Sequence, residues 1–372
     1  MALAEYDVSS LEALFARWGF ARGNARRLLR RFYDCGGERV EEGLISPRLA
    51  ERLVGEVGLR STAVVTRREA GDGTVKLLVG LANGRQKAKG KRQKEDDAGT
   101  GLATAGAECV LMPSHRGDRA AGCVSSQVGC AMGCDFCAST KAGVERDLTS
   151  GEIVEQFLWL RGEALRMGRR LQTVVFMGMG EPLLNYENVV GAIRRIAGQE
   201  LGALGWRNVT VSTVGIVPGI ERLRADELGV QLAVSLHAPD DATRAAIVPT
   251  GRRYRVDEIL AAAARYQAAS GRVVNVEYTM LEGVNDSDGQ AALLAERVVG
   301  LGMHVNLIPY NWIGPGVSGR VYRRPAVERM ERFLEILTAG GVVAHVRRTR
   351  GDEIEGTCGQ LRERVSLGDG KE

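Results

Sequence analysis

The sequence predicts an α/β chain: an open, partial barrel of the (βα)6 type preceded by a small N-terminal module of helices and a hairpin. Three observations carry this reading. From about residue 120, apolar strand-like runs alternate with helix-length stretches, the pattern of parallel βα units whose strands are covered on both faces. Six or seven such units are too few to close an eight-unit barrel. Ahead of them lies a stretch of different rhythm, set off by a charged segment without apolar periodicity.

The elements follow in order. "SLEALFARWGFARGNARRLLRRFYD" places apolar residues three or four apart over 10–34 and reads as two short helices broken near Gly19 and Gly23. Arg26, Arg27, Arg30 and Arg31 give the second helix a basic face, either a solvated surface or a contact for phosphates. In "STAVVTRREAGDGTVKLLVGLANG" two β-rich runs flank a Gly-Asp-Gly turn, a hairpin signature. Residues 85–107 carry six Lys or Arg within 85–94, then an acidic block, and read as a flexible linker. The division is therefore 1–84 as an accessory domain, 85–107 as linker, 108–362 as the core and 363–372 as a tail. Within the core, strands are expected at 121–127, 173–179, 209–214, 230–236, 273–281, 304–309 and 342–348, with helices at 256–270 and 326–340 among those between them. In open α/β folds ligands bind at the C-terminal strand ends. Glu181, Ser212, Ser235, His237 and Asn311 all stand there.

Composition narrows the class. The 372 residues are 44% hydrophobic and 26% charged, ordinary for a soluble chain. The net charge of +4 permits a polyanionic partner without requiring one. No run of about 18 apolar residues predicts a membrane span. "MALAEYDVSSLEALFARWGF" lacks a basic segment followed by an apolar core, so no secretion signal is expected. The seven cysteines are odd in number, and four fall between Cys123 and Cys137. That argues for thiols at work in a reducing cytoplasm rather than a disulfide framework.

"CVSSQVGCAMGCDFC" is the strongest local signal. Cys130, Cys134 and Cys137 are spaced C-x3-C-x2-C, and Cys123 lies seven residues upstream. Three thiolates this close can wrap a soft metal centre. A structural zinc site usually takes four ligands, and Cys123 is spaced too far for the usual fourth. A 4Fe–4S cluster on three cysteines leaves one iron open for chemistry, so iron–sulfur and zinc readings both stand on spacing, the former ahead. "GMGEP" is half of a dinucleotide fingerprint, but Leu183 stands where the third Gly belongs. His237 alone would more often be a satisfied core histidine; its place in "SLHAP" at a strand end favours a site. His115, His304 and His345 read as structural, and Cys35 and Cys109 as small buried thiols.

The spacing, with Phe136 before the last cysteine, resembles the signature of the radical S-adenosylmethionine (SAM) enzymes. "CVSSQVGC", "FMGMGEPLLN", "VTVSTVGIVPGI", "LAVSLHAP", "NLIPYN" and "RRTRGDEIEGTCGQL", in this order, resemble the RlmN branch of the RlmN/Cfr family of RNA adenosine methyltransferases. The likeness runs from about residue 10 to 362. It implies a radical SAM barrel with a 4Fe–4S cluster held by Cys130, Cys134 and Cys137. It implies SAM contacts from Gly180, Glu181, Ser212, Ser235, Leu236, His237 and Asn311. It implies Cys358 as the cysteine that becomes methylated, Cys123 as the second catalytic cysteine and Glu108, in "ECVLMP", as proton acceptor. Two places depart from the family: the basic stretch at 85–94 replaces a short turn, and "RRFYDCG" lacks an expected tryptophan.

The resemblance also implies a route. Carbon 2 of adenine is electron-poor, so it does not accept the electrophilic methyl group of SAM. In the family one SAM methylates a cysteine, and a second yields a radical that takes hydrogen from that methyl group. The carbon radical adds to adenine, and a second thiol resolves the bridge by forming a disulfide. Expected partners are 23S ribosomal RNA, with transfer RNA as a further substrate, and an electron donor such as flavodoxin or ferredoxin, the enzyme itself being a monomer. The alternatives are a Cfr-like methyltransferase acting on carbon 8, a radical SAM enzyme with a small-molecule substrate and a zinc-containing RNA-binding protein.

Overall fold

The computed structural model describes residues 1–38, 43–81, 105–115 and 117–361. The basic stretch 85–94 and the tail 363–372 lie outside them.

Three short helices open the chain. α1 (Val8–Arg17) starts at Asp7, whose carboxylate accepts from the Ser10 N–H at 2.7 Å. α2 (Asn24–Asp34) buries Ala25, Leu28, Leu29, Phe32 and Tyr33 and turns Arg26, Arg27, Arg30 and Arg31 outward. The break between these helices falls at 18–23, as the glycines predict. α3 (Pro47–Glu56) begins with Pro at its first position and Ser46 as cap.

The hairpin follows: β1 (Thr62–Glu69) pairs antiparallel with β2 (Val75–Leu81). β2 pairs on with β3 (Gly106–Pro113), and β3 with β4 (Arg119–Cys123), both antiparallel. The hairpin is thus the outer edge of the barrel sheet. Glu155 ties it down. This buried carboxylate accepts from the N–H groups of Ser61 and Thr62 at 2.8 Å each.

After β4 come β5 (Gln127–Gly129) and β6 (Val144–Asp147), which form a separate antiparallel pair. Alternating units then follow: α4 (Ser150–Arg166), β7 (Arg170–Phe176), α5 (Tyr186–Ala197), β8 (Val209–Thr213), α6 (Val217–Ala225) and β9 (Gln231–Ser235). The chain continues with α7 (Asp241–Ile247), α8 (Val256–Ser270), β10 (Asn275–Met280), α9 (Asp288–Val299), β11 (His304–Pro309), α10 (Val327–Ala339) and β12 (Ala344–Val346). The ten-stranded sheet has the order β1-β2-β3-β4-β7-β8-β9-β10-β11-β12, parallel from β4 onward. β1 and β12 stand at opposite ends of that order, so the barrel is open. Between sheet and helices, Val174, Val211, Leu232, Val276 and Val305 pack against Ile193, Ile220, Ile259 and Leu294 in one continuous core.

One expected strand is corrected. The run 121–127 is not a single strand: β4 ends at Cys123 and the chain leaves the sheet. The Ser125 hydroxyl donates to the Glu108 carbonyl at 2.6 Å, and the N–H groups of Ser126 and Gln127 turn to the Met179 carbonyl. These bonds replace the ladder and redirect the chain toward the cysteine loop. The strand expected at 342–348 is also shorter, 344–346, because Arg347 leaves the ladder after one bond to Leu307.

Candidate active site

The loop that carries the three cysteines begins at Gly129, whose φ of +74° only glycine adopts freely. A Cβ there would lie 2.0 Å from the Gly143 carbonyl oxygen, so the β5–β6 hairpin closes only around glycine. The loop then runs over the C-terminal ends of the parallel strands. Asp135 anchors it, accepting from the Ser318 N–H and the Tyr322 hydroxyl at 2.7 Å each.

Cys130, Cys134 and Cys137 line one cavity of about 140 Å³ together with Gly180, Glu181, Ser212, Ser235, His237, Asn311 and Cys358. Burial pushes the Cys130 thiol up to about 12 and those of Cys134 and Cys137 up as well. Neutral thiols are what a metal-free pocket of low polarity holds; bound metal would displace their protons. Among the described residues, no group of three His, Cys, Asp or Glu side chains is drawn together as tightly as one metal ion would need. Three thiols lining one cavity are the soft donors that an iron–sulfur cluster takes.

Tight backbone packing and hydrogen bonds hold the other lining residues. Gly180 has φ +99°, and a Cβ would lie 2.6 Å from the Gln127 side chain, so the backbone approaches closely only as glycine. Glu181 is buried, with its carboxylate accepting from Leu183 N at 3.0 Å and Val214 N at 2.8 Å. Burial nevertheless pushes it up to about 7. The hydroxyls of Ser212 and Ser235 stand 3.3 Å apart at neighbouring strand ends. His237 sits at φ +61°, a strained conformation for a non-glycine residue. Asn285 fixes it by donating to its carbonyl at 2.7 Å, and its Nδ1 accepts from Thr279 N at 3.0 Å. Burial and Arg244 hold its imidazole down to about 3, so it is neutral with the proton on Nε2. Leu236 differs from the others: its side chain is fully buried and off the cavity wall, and its N–H donates to the Glu277 carbonyl at 3.1 Å.

A second, wider cavity of about 670 Å³ opens beside the first, lined by Val110, Met112, Cys123, Met177, Arg119, Arg347, Arg348 and Arg350. Cys358, Asn311 and Arg347 belong to both walls. Asn311 donates to the Cys358 carbonyl at 3.2 Å, Ala138 N to the Gly359 carbonyl at 2.7 Å and Ser139 to the Leu361 carbonyl at 2.7 Å. The cysteine loop and the end of β11 therefore hold the terminal segment over the strand ends. Cys358 is exposed and Cys123 is buried.

Glu108 lines neither cavity. It is fully buried in an ion pair, with Lys76 Nζ 2.9 Å from its Oε1. It shares a face of β3 with Val110, which pairs with Cys123. The sequence reading passed over Lys76 and Glu277. Glu277 accepts from Asn306 at 2.9 Å and from Arg347 at 3.4 Å on the barrel floor. Lys76 is a lone charge in an apolar run, the one signal that marks it; Glu277 stands in a strand that also carries Asn275 and Thr279.

Comparison with known proteins decides the family. The radical SAM superfamily profile matches residues 124–295. A probable dual-specificity RNA methyltransferase RlmN 1 of Opitutus terrae is 53% identical over 97% of this chain and 96% of its own. The chain belongs to the RlmN family of radical SAM RNA methyltransferases. The RlmN relative from Symbiobacterium thermophilum is 42% identical over 96% of this chain and 90% of its own. A crystal structure of a radical SAM methyltransferase from Sphaerobacter thermophilus superposes with a TM-score of 0.87 at 39% identity, covering 97% of this chain and 99% of that one. RlmN family membership brings a 4Fe–4S cluster and SAM with it. No helix among the described residues is long and apolar enough to cross a membrane.

Proposed function

We propose that the enzyme methylates carbon 2 of an adenosine in 23S ribosomal RNA, and also of one in transfer RNA, with the methyl group carried on Cys358. The observation that carries this reading is the position of Cys358, which stands in the wall of both cavities. One cavity holds the three thiols and the other holds Cys123 beneath a basic rim. Cys130, Cys134 and Cys137 would hold the cluster, and Gly180, Glu181, Ser212, Ser235, His237 and Asn311 would hold SAM, with Leu236 packed behind them in the core. When bound, these supply an electron and a primary carbon radical able to take hydrogen from a methyl group.

The chain's own residues do the rest. The Cys358 sulfur, exposed, takes a methyl group by displacement. After that methyl group loses a hydrogen atom, its carbon bonds to carbon 2 of the base. Glu108, which lies behind the Cys123 face of the wider cavity, accepts the proton from carbon 2 once the inserted base reaches it, and one electron passes back to the oxidised electron carrier as the ring regains aromaticity. The Cys123 thiolate then attacks the Cys358 sulfur. The sulfur–carbon bond breaks as the disulfide forms, and its electron pair stays on carbon, which takes a proton to complete the methyl group. Arg119, Arg347, Arg348 and Arg350 face the wider cavity and suit RNA phosphates. The name of the relatives, dual-specificity RNA methyltransferase, supports two RNA substrates. The reading takes flavodoxin or ferredoxin as electron donor and a monomer in the cytoplasm.

The test is nucleoside mass spectrometry with chromatographic standards after reaction with 23S and transfer RNA. 2-Methyladenosine from both is expected. 8-Methyladenosine would move the enzyme to the Cfr activity, and an unmodified transfer RNA would remove the second substrate. Peptide mass analysis of protein purified from SAM-replete cells should show one methyl group on the Cys358 peptide.

A further inference from the structure

Lys76 stands within β2, a strand buried along its length, and its side chain is only 2% exposed. Lysine is almost never placed so unless it is paired. Its partner, Glu108, is equally buried, and the two atoms are 2.9 Å apart. The antiparallel register sets Lys76 opposite Val110 and Glu108 opposite Leu78, so the pair crosses the ladder on the diagonal. Val110 is in turn opposite Cys123. The pair therefore sits on the sheet face that presents Cys123, one step beyond the end of β4.

Lys76 has a second contact. Its ammonium donates to the Glu355 carbonyl at 3.4 Å, three residues before Cys358. The turn of the same hairpin grips this segment: Asp72 accepts from Gly351 N at 3.2 Å, and Glu353 accepts from Gly71 N at 3.2 Å. One side chain thus touches both the carboxylate assigned to proton removal and the segment that delivers the methyl carrier.

We infer that Lys76 is a positioning residue for the proton-transfer step, holding Glu108 as a carboxylate and coupling it to the Cys358 segment. This inference rests on the reading of Glu108 as proton acceptor. A carboxylate shut away from water with no counter-charge takes up a proton and is then unable to accept another. The ammonium beside it keeps it charged. In the step itself the carbon 2–hydrogen bond breaks, its electron pair stays with the adduct, and the proton forms an O–H bond on Glu108. Lys76 keeps its bond to the Glu355 carbonyl throughout. It acts through Glu108 and does not touch the base.

The experiment uses the cluster-loaded enzyme with SAM, reductant and an RNA fragment carrying either hydrogen or deuterium at carbon 2 of the target adenosine. Lys76→Met is expected to slow methylation by roughly ten- to a hundred-fold, below the full worth of a general base. The KM for RNA should stay within about threefold, and the deuterium effect should rise by at least about twofold as proton removal becomes limiting. Lys76→Arg should recover most of the rate. A Lys76→Met enzyme within about twofold of the parent overturns the inference, as does a slow one with an unchanged deuterium effect, which marks a merely structural pair. If the Met variant fails to load its cluster, Lys76→Arg decides alone: a tenfold or greater loss of rate despite the retained charge overturns the inference, and a near-parental rate and isotope effect support it. Glu108→Gln separates the two readings. Parental activity in that variant removes the base assignment itself, whereas a slow Glu108→Gln beside a fast Lys76→Met removes only the role of Lys76.

Discussion

Release of methylated RNA is expected to be steeply pH-dependent. Burial pushes the Cys123 thiol from 9.0 up to about 12, with Cys358 adding to the rise and the Met177 N–H and Arg347 working against it. Only the thiolate attacks. At pH 7 a thiol of that acidity is ionised to about one part in 100,000, against about one part in 100 unperturbed, and each pH unit raises the fraction about tenfold. Because the pKa lies far above the working range, the rate stays on its rising limb and gains about a hundredfold between pH 7 and 9. The assay is single turnover with denaturing quench, following the RNA-linked protein band on a gel. The band should form at every pH and decay about a hundred times faster at pH 9 than at pH 7. A decay independent of pH, or one equally fast in Cys123→Ala, would refute attack by a buried Cys123.

Three further outcomes are expected. Cys123→Ala removes one buried sulfur packed with Val110, Met179 and Leu361, at a cost of about 1 kcal/mol, so the protein should fold and carry RNA that survives denaturation; an RNA-free, fully active variant would count against the resolving role, and the band should vanish when Cys358 is also replaced. Replacing Cys130, Cys134 and Cys137 together with Ala should abolish iron loading, measured by metal analysis and visible absorption, and full loading would contradict the ligand assignment. Gly180→Ala places a Cβ 2.6 Å from the Gln127 side chain at φ +99°, costing about 1–3 kcal/mol; calorimetry should show SAM binding at least about tenfold weaker, and unchanged affinity would mean that the wall can yield.

The parallel sheet was legible because its strands are short apolar runs whose polar residues gather at one end. Ser212, Ser235 and Asn311 stand where that pattern puts them, around the cavity that holds the three cysteines. The residues that escaped notice are buried charges whose partners lie on other elements. Lys76 and Glu277 answer partners far along the chain, Glu108 and Arg347, and Arg244 donates to the carbonyls of Leu236 and Val214. Local periodicity carries no record of such pairings. The break after Cys123 was hidden for the same reason, since Val124–Gln127 reads as strand until the carbonyls of Glu108 and Met179 draw it away. Leu236 lies among cavity residues in sequence but points into the core, because successive strand positions face opposite ways.

Cys358 forms part of the partition between two cavities, and that makes it a tether. A reactive carbon attached there, as proposed, would not diffuse; its range would be the sweep of one side chain about a backbone pinned at Asn311, Ala138 and Ser139. On the proposed mechanism the two halves of the chemistry fall in adjoining cavities. On the proposed role of Cys358, selectivity for RNA includes delivery: the target nucleotide must be brought to a fixed point.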